Sequence, residues 1–199
     1  MNIKIYYLFS LFLLTSCATP NYILENRTQT TGLDFRQGKW LLNEIDVPYN
    51  LSDELNKQIY IDLEKNLGNR LIKLKDTKGV ILPYKMGFYP NKETLKNLKI
   101  GANGFDYFIN VKAEIKKNQF GEIDITPAKS NLGGKKQAGI IIEIYDLNLL
   151  QIVYSQKAIG TINLPQNNGD VNLSVSAYSL IRGGYKRLMK DINNKSIRE

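Results

Sequence analysis

Apolar residues recur at every fourth position between residues 53 and 67, which predicts an amphipathic helix. The stripe consists of Leu55, Ile59, Leu63 and Leu67. Ser52 stands before the stripe as a predicted N-cap, and Gly68 follows it as a typical C-terminal stop. We therefore expect one side of this helix to be buried and the other to face water.

Two further segments have the boundary residues or the periodicity of helices. Asn91 is a predicted N-cap for a short helix that extends to about Ile100, with Gly101 after it. A last helix is predicted from about Ser174 to Asn193, because apolar residues there alternate between spacings of three and four. These residues are Tyr178, Ile181, Tyr185, Leu188 and Ile192. The Gly183-Gly184 pair inside this helix predicts close packing against a sheet.

One strand is predicted from a strict alternation of apolar and polar residues at positions 107–116. Ile109, Val111, Ala113 and Ile115 are expected to face the core. Asn110, Lys112, Glu114 and Lys116 are expected to face water.

The remaining strands are predicted from short apolar runs. Residues 140–146 and 152–164 form the strongest hairpin candidate, joined by residues 147–151. Shorter strands are expected within residues 39–47 and 70–75. Residues 80–90 are expected to be an irregular aromatic segment and residues 119–137 a polar connection, because prolines and glycines interrupt both.

This order of elements predicts one α/β domain over residues 39–193. We expect a mixed sheet of four or five strands flanked by about three helices. Residues 17–38 lack sustained periodicity and are expected to be a tether, with a root-mean-square span of about 25 Å. Residues 194–199 are expected to be a C-terminal tail.

The first seventeen residues have the pattern of an export signal that ends at a cysteine. Lys4 precedes an apolar run from Ile5 to Leu14, which is too short to remain in a bilayer as a span. Small polar residues then precede Cys17, the only cysteine in the chain. This arrangement resembles the lipobox of bacterial lipoproteins. The resemblance implies that residues 1–16 are removed and that Cys17 is diacylated as the new N-terminus.

Composition and charge restrict the chemistry that the chain can perform. The chain has no histidine, and its one cysteine is expected to carry lipid, so we expect neither His-dependent nor Cys-dependent catalysis nor zinc sites built from those residues. The net charge is +8, with 27 basic and 19 acidic residues. For an exported protein, this charge favours anionic headgroups, anionic cell-wall polymers or an acidic protein partner over nucleic acid. No cofactor or metal is predicted.

Three local patterns follow one another along the chain. Residues 102–109 (ANGFDYFI) lead from a predicted helix into a strand through an Asp-Tyr step. Residues 142–155 contain the predicted hairpin, and an amphipathic helix ends the domain. In this order behind the lipobox, they resemble the domain shared by the N-terminal part of TolB, LpoB-type penicillin-binding-protein activators and CsgG-type secretion lipoproteins. The likeness covers about residues 39–192.

This resemblance implies a protein that regulates or assembles envelope machinery. The chain departs from the family pattern at the hairpin turn, where Asn148-Leu149-Leu150 replaces the family's Thr-Gly. Its predicted tether is also shorter than that of LpoB-type activators, and it has no matched strand pair like the membrane hairpins of CsgG-type proteins.

Two surface segments are candidates for binding. Aromatic residues and methionine anchor many protein interfaces, and residues 83–90 supply Tyr84, Met86, Phe88 and Tyr89. These four side chains could equally cover the edge of the core. Lys135 and Lys136 form the densest basic cluster and are candidates for contact with headgroups or cell wall.

The leading hypothesis is a non-enzymatic lipoprotein that binds another envelope protein or a second copy of itself. Ala18, after the cysteine, is similar to the outer-membrane sorting pattern, which favours an anchor in the outer membrane facing the periplasm. The first alternative is a binding module for an anionic glycan or peptidoglycan. A less favoured alternative is an enzyme that uses carboxylates alone.

Overall fold

The structure is a computed structural model that describes residues 19–26, 33–48, 52–77, 87–102, 104–116, 135–163 and 176–197. Its helices are α1 (Ser52–Leu67), α2 (Lys92–Gly101) and α3 (Ala177–Lys195). Its strands are β1 (Asn21–Asn26), β2 (Leu33–Asp34), β3 (Trp40–Leu42), β4 (Leu71–Lys73), β5 (Tyr107–Lys116), β6 (Lys135–Asp146), β7 (Gln151–Asn163) and β8 (Ser196–Ile197). Two 3₁₀ turns, Gly68–Arg70 and Leu74–Asp76, flank β4.

Six strands form one mixed sheet in the order β1-β7-β6-β5-β3-β4. Strand β3 is parallel to both β4 and β5, and the other neighbours are antiparallel. The predicted α/β class with a mixed sheet and three helices is therefore confirmed. The sheet has one strand more than expected, because β1 lies within the segment predicted to be a tether.

The sheet separates two hydrophobic clusters. We call the side covered by α1 and α3 the first face and the side covered by α2 the second face. The predicted stripe of α1 is buried on the first face, where Leu55, Ile59, Leu63 and Leu67 are at most 1% exposed. On the second face, Leu95 and Leu98 of α2 pack with Leu41, Phe108 and Tyr145.

Helix α3 approaches the sheet closely at the predicted glycine pair. A Cβ atom at Gly184 would lie 3.2 Å from Ile140 Cγ2 and 3.3 Å from Ala158 Cβ, closer than most side-chain contacts allow. At Gly183 the added atom would collide with the Tyr22 hydroxyl of β1. The prediction that these glycines permit close packing is confirmed.

The ends of the chain correct two boundary predictions. Residues 21–26 are not a free tether, since β1 pairs antiparallel with β7 from Asn21↔Thr161 to Asn26↔Gln156. Residues 194–199 were expected to be a tail, but α3 extends to Lys195 and β8 pairs in parallel with β2. Leu33 and Phe35, at 3% and 2% exposed, belong to the main core although the tether prediction included them.

Asp106 joins three segments at the start of β5. Its Oδ2 accepts a hydrogen bond from the Lys39 N–H at 2.9 Å, and its Oδ1 accepts one from Asn148 Nδ2 at 3.1 Å. These bonds, led by the one from Lys39, hold the pKa of the Asp106 carboxyl below its usual value. The neighbouring Tyr107 ring stacks on Trp40 at 4.2 Å between centroids. The Asp-Tyr step thus has a structural role in aligning β3, β5 and the β6–β7 turn.

Candidate functional site

A row of polar side chains crosses the second face of the sheet beyond α2. It consists of Asn43 after β3, Asn110 on β5, Glu143 on β6 and Ser155 on β7, all at most 3% exposed. In the strand register, Glu143 is opposite both Asn110 and Ser155. Asn43 Nδ2 donates to Asn110 Oδ1 at 2.8 Å. We call these four residues the polar row.

The polar row corrects one prediction from the alternating pattern. Asn110 was expected to face water, but it is fully buried. Burying an amide side chain lowers the stability of a protein unless its donors and its acceptor form hydrogen bonds. Besides accepting from Asn43, Asn110 donates from Nδ2 to the Gly87 carbonyl oxygen at 3.2 Å. At this position, the polar face of β5 is therefore buried and binds other segments of the chain through hydrogen bonds.

Glu143 places a carboxyl group where its strand is otherwise apolar. The Tyr145 hydroxyl donates to Glu143 Oε2 at 2.5 Å, and both residues are buried. Burial, followed by this hydrogen bond, raises the pKa of the Tyr145 hydroxyl far above its usual value. The phenol is therefore a permanent donor to the carboxyl group and reduces the penalty of burying it.

The polar row and Tyr145 hold Gly87, Phe88 and Tyr89, which we call the aromatic tip. Asn110 bonds the Gly87 carbonyl, and the Tyr89 backbone forms a hydrogen bond with the Tyr145 hydroxyl. The rings of Phe88 and Tyr89 meet edge to face with centroids 6.4 Å apart. The Lys112 ammonium lies 5.9 Å from the Phe88 centroid.

Tyr89 combines exposure with an unusual backbone conformation. Its side chain is 53% exposed, whereas Phe88 is half-buried. Its φ is +54°, a region that a bulky residue rarely adopts without support from its surroundings. The hydrogen bonds around it supply such support. The aromatic tip therefore presents a large amphipathic ring on a backbone held by buried polar groups.

A crevice of about 300 Å³, which shares Asn43 with the polar row, lies at the carboxyl ends of β3 and β4. Helix α1 contributes Asn56, Lys57 and Tyr60 to it, and the strand ends contribute Asn43, Glu44, Lys73 and Lys75. The Lys73 ammonium lies 3.7 Å from the centroid of the Tyr60 ring, a favourable cation–π distance. With three ammonium groups and one carboxylate in its lining, the crevice suits an anionic ligand.

Asn56 adds a specific acceptor to this crevice. Its side-chain oxygen is buried without a hydrogen-bond partner among the described residues. A buried unbonded acceptor is unfavourable, so a ligand that donates a hydrogen bond here would restore the lost interaction. Because β3 and β4 are parallel, their carboxyl ends lie together beside the crevice. Ligands of open α/β sheets bind beyond the carboxyl ends of the strands, so the crevice has the position of a ligand site.

The predicted basic cluster lies in a strand and not in the polar connection expected for residues 119–137. Lys135 begins β6, and Lys136 is half-buried opposite Ile162 of β7. Thr161, one residue earlier on β7, pairs with both Asn21 and Gln137. Lys136 therefore lies at the end of the sheet where β1 begins.

The structure brings together only part of the predicted site. Phe88 and Tyr89 adjoin each other, but Tyr84, Met86 and Cys17 lie outside the described residues. Sequence reasoning missed the polar row and the crevice. Glu143 was detectable as a lone charge within the apolar run of residues 140–145, whereas the crevice lysines are far apart in sequence and carry no such signal.

Among the described residues, no group of three or more His, Cys, Asp or Glu side chains is placed to hold a metal ion. None of the described helices combines the length and the apolar character that crossing a membrane requires.

Comparison with known proteins identifies distant structural likeness. No family model and no curated protein sequence matches the chain. Among solved structures, the PelC dodecamer from Paraburkholderia phytofirmans is 14% identical, with 83% of this chain and 95% of that chain covered at a TM-score of 0.39. Protein CT253 from Chlamydia trachomatis is 16% identical, with 79% and 94% covered at 0.42. Lipoprotein GNA1162 from Neisseria meningitidis is 9% identical, with 79% and 99% covered at 0.43. At these identities and scores, no activity or partner of these proteins is transferred to this chain.

Proposed function

We propose that the chain is a non-enzymatic lipoprotein of the bacterial cell envelope, anchored through Cys17 in the outer membrane and facing the periplasm. The observation that carries the proposal is the apolar run from Ile5 to Leu14 that ends at the only cysteine. The lack of histidine, together with the use of the one thiol for lipid, favours a binding role over catalysis.

The proposed activity is binding of another envelope protein through the aromatic tip. A partly exposed tyrosine next to a half-buried phenylalanine is typical of an interface anchor, because such rings supply contact area with little loss of side-chain entropy. Self-association is the alternative mode of binding. The patterns at residues 102–109 and 142–155, which resemble activator and secretion lipoproteins, support a role in regulation or assembly of envelope machinery.

Lipidation is tested with Cys17→Ala in cells supplied with a palmitate analogue. We expect the wild-type chain to carry the label and to lose residues 1–16, and the variant to do neither. Ser16→Ala is the matched control, because it keeps a small residue before the cysteine and should preserve both events. Label on the Cys17→Ala chain, or none on the wild type, would contradict the anchor.

Partner binding is tested by crosslinking in membranes. We expect a stoichiometric protein adduct with the wild-type chain and its loss in Tyr89→Ala. Leu149→Ala is the control, since Leu149 is 62% exposed in the β6–β7 turn and is not part of the aromatic tip. An adduct that survives Tyr89→Ala would exclude the aromatic tip as the contact.

The crevice favours a second candidate function, the binding of an anionic glycan or peptidoglycan. Its three lysines attract carboxylates or phosphates, and Asn56 can accept from a hydroxyl or amide. This function predicts sedimentation with purified sacculi that is weakened by Lys57→Glu or Lys75→Glu and unaffected by Lys96→Glu on α2. Sedimentation without any protein adduct would replace the first function with the second.

A further inference from the structure

Strand β1 places the proposed lipid attachment site close to the edge of the sheet. Cys17 precedes Asn21, the first residue of β1, by four positions. An extended chain covers at most about 3.6 Å per residue, so the two Cα atoms are within about 14 Å of each other. The inference below rests on the proposed lipidation, because only an acylated Cys17 holds this edge at a membrane.

The edge strand itself exposes apolar side chains. Among the described residues, β1 is the outermost strand of the sheet, and its Ile23 and Leu24 are 58% and 40% exposed. Adjacent residues of a strand point to opposite sides, so both sides of this edge carry an apolar group. Edge strands of soluble domains usually carry charges or prolines that discourage contact, and this one has a single charged residue, Glu25.

The outer surface of α3 adjoins this edge and is basic. Its exposed residues include Arg182, Lys186, Arg187 and Lys190. Asp191 is the only acidic residue of α3, and its Oδ1 is bonded to Lys195 Nζ at 2.9 Å. The Arg187 guanidinium carbon lies 3.7 Å from the centroid of the Tyr22 ring, so this basic surface meets β1 at Arg187.

We propose that β1 and the outer surface of α3 together form a surface that lies on the anionic headgroups of the anchoring membrane. The apolar side chains of β1 enter the boundary between headgroups and acyl chains, and Tyr22 suits the same depth because its ring is amphipathic. The cations of α3 are attracted to the negative surface potential, which acts within about a Debye length of the membrane. The short connection to Cys17 keeps the side chains of β1 and the cations of α3 within that distance of the membrane.

A second copy of the chain is the competing occupant of this edge. Two β1 strands could pair across a two-fold axis and extend the sheet. The basic charge argues for the membrane, because such a dimer would bring two similar positive surfaces toward each other, whereas anionic lipid neutralises them.

The test uses the acylated mature chain, residues 17–199, reconstituted into vesicles of phosphatidylcholine and phosphatidylglycerol. Acylation consumes the Cys17 thiol, so a single introduced cysteine is the only reactive thiol and carries a fluorescent label. Leu24→Cys probes the proposed contact, and Leu149→Cys is the matched control in an exposed turn. A headgroup spin label serves as the quencher, and the melting temperature of each variant establishes that it is folded.

We expect severalfold stronger quenching at position 24 than at position 149. Lys186→Glu with Lys190→Glu should reduce the quenching at position 24 on anionic vesicles and leave it unchanged on pure phosphatidylcholine. Equal quenching at the two positions would overturn the proposal. Energy transfer between labels at position 24 without lipid quenching would overturn it in favour of β1–β1 pairing.

Failure of the proposed lipidation is recognised separately. The mass of the purified wild-type chain shows before reconstitution whether Cys17 carries acyl chains. An unacylated chain would end both proposals, whereas an acylated chain with equal quenching would end only the orientation on the membrane.

Discussion

The two faces of the sheet differ in how they use the residues of the same strands. On the first face, Ile109, Ile142 and Ala158 pack under α1 and α3 and are at most 1% exposed. On the second face, α2 covers an apolar area around Phe108, and beyond it the polar row is equally buried. The comparison teaches that a residue on this sheet is buried when another element packs over it, whether the residue is apolar or polar. The alternation of residues decides only which face of the sheet each side chain is on.

This difference has a physical consequence for each face. The first face is stabilised by the removal of apolar surface from water, which does not depend on direction. In the polar row, Asn43, Asn110 and Glu143 are stabilised in their buried positions by hydrogen bonds, which depend on geometry. We therefore expect the first face to dominate the free energy of unfolding and the second face to position the aromatic tip.

The largest effect is expected from a cavity on the first face. Ile142→Ala removes three carbon atoms from a fully buried site and should lower the free energy of unfolding by about 2–5 kcal/mol. Ile141→Ala is the matched control on the second face, where Ile141 is 7% exposed and lies opposite Lys157. It should fall at the low end of that range. Urea unfolding measures both, and equal losses would contradict the proposed difference between the faces.

A smaller effect is expected from Glu143→Leu on the second face. The change leaves the buried Tyr145 hydroxyl without its Glu143 acceptor and should lower the free energy of unfolding by about 1–3 kcal/mol. The double variant Glu143→Leu with Tyr145→Phe removes both partners and should recover most of this loss. A single variant as stable as the wild type would show that the carboxyl group contributes nothing net.

Alkaline pH is expected to affect both faces through buried tyrosines. Burial, with the charge of Asp191 next in importance, raises the pKa of Tyr154 on the first face far above 10, as burial and Glu143 do for Tyr145. Above pH 10 the unfolded chain releases these protons and the folded chain keeps them, so the free energy of unfolding falls as pH rises. Each tyrosine adds a slope of about 1.4 kcal/mol per pH unit.

The variants Tyr154→Phe and Tyr145→Phe should each make that fall less steep. Unfolding in urea at several pH values between neutral and strongly alkaline measures the slope. An unchanged slope in either variant would mean that the corresponding hydroxyl also titrates in the folded state.

The smallest effect is expected at the aromatic tip. Tyr89→Gly removes a side chain from a backbone with φ of +54° and should raise the free energy of unfolding by about 0.5–1 kcal/mol while it weakens the protein adduct. Leu150→Gly is the matched control, because Leu150 has φ of +53° in the β6–β7 turn. It should leave the adduct intact, with a smaller gain in stability because Leu150 also packs against the hydrophobic cluster on the second face. Loss of the adduct in both variants would contradict a specific role for Tyr89.

Elements with a strong period were predicted well from the sequence. Helix α1 begins and ends where its leucine and isoleucine stripe predicts, and Asn91 caps α2 by accepting from the Thr94 N–H at 2.8 Å. The hairpin was also predicted, although β6 begins at Lys135, five residues before the expected start. Such elements are predictable because their side chains repeat with the geometry of the backbone itself.

The edge strands and the sites were less predictable. Strand β1 has no strict alternation of apolar and polar residues, and it pairs with β7, which is far away in the sequence. Of the candidate site, the aromatic residues at positions 88 and 89 were identified, but their attachment to Asn110 was not. The lysines of the crevice come together only because β3, α1 and β4 lie next to one another at one end of the sheet.

The sequence by itself determined the α/β class, the helices and the apolar side of β5, because these follow from local periodicity. It also predicts an export signal that ends at Cys17, and the lack of histidine excludes His-dependent catalysis. Only the tertiary structure decided that β1 is part of the sheet, that Asn110 and Glu143 are buried, and that α3 extends the surface of β1. These features depend on contacts between distant segments, whose energies are not contained in any local pattern.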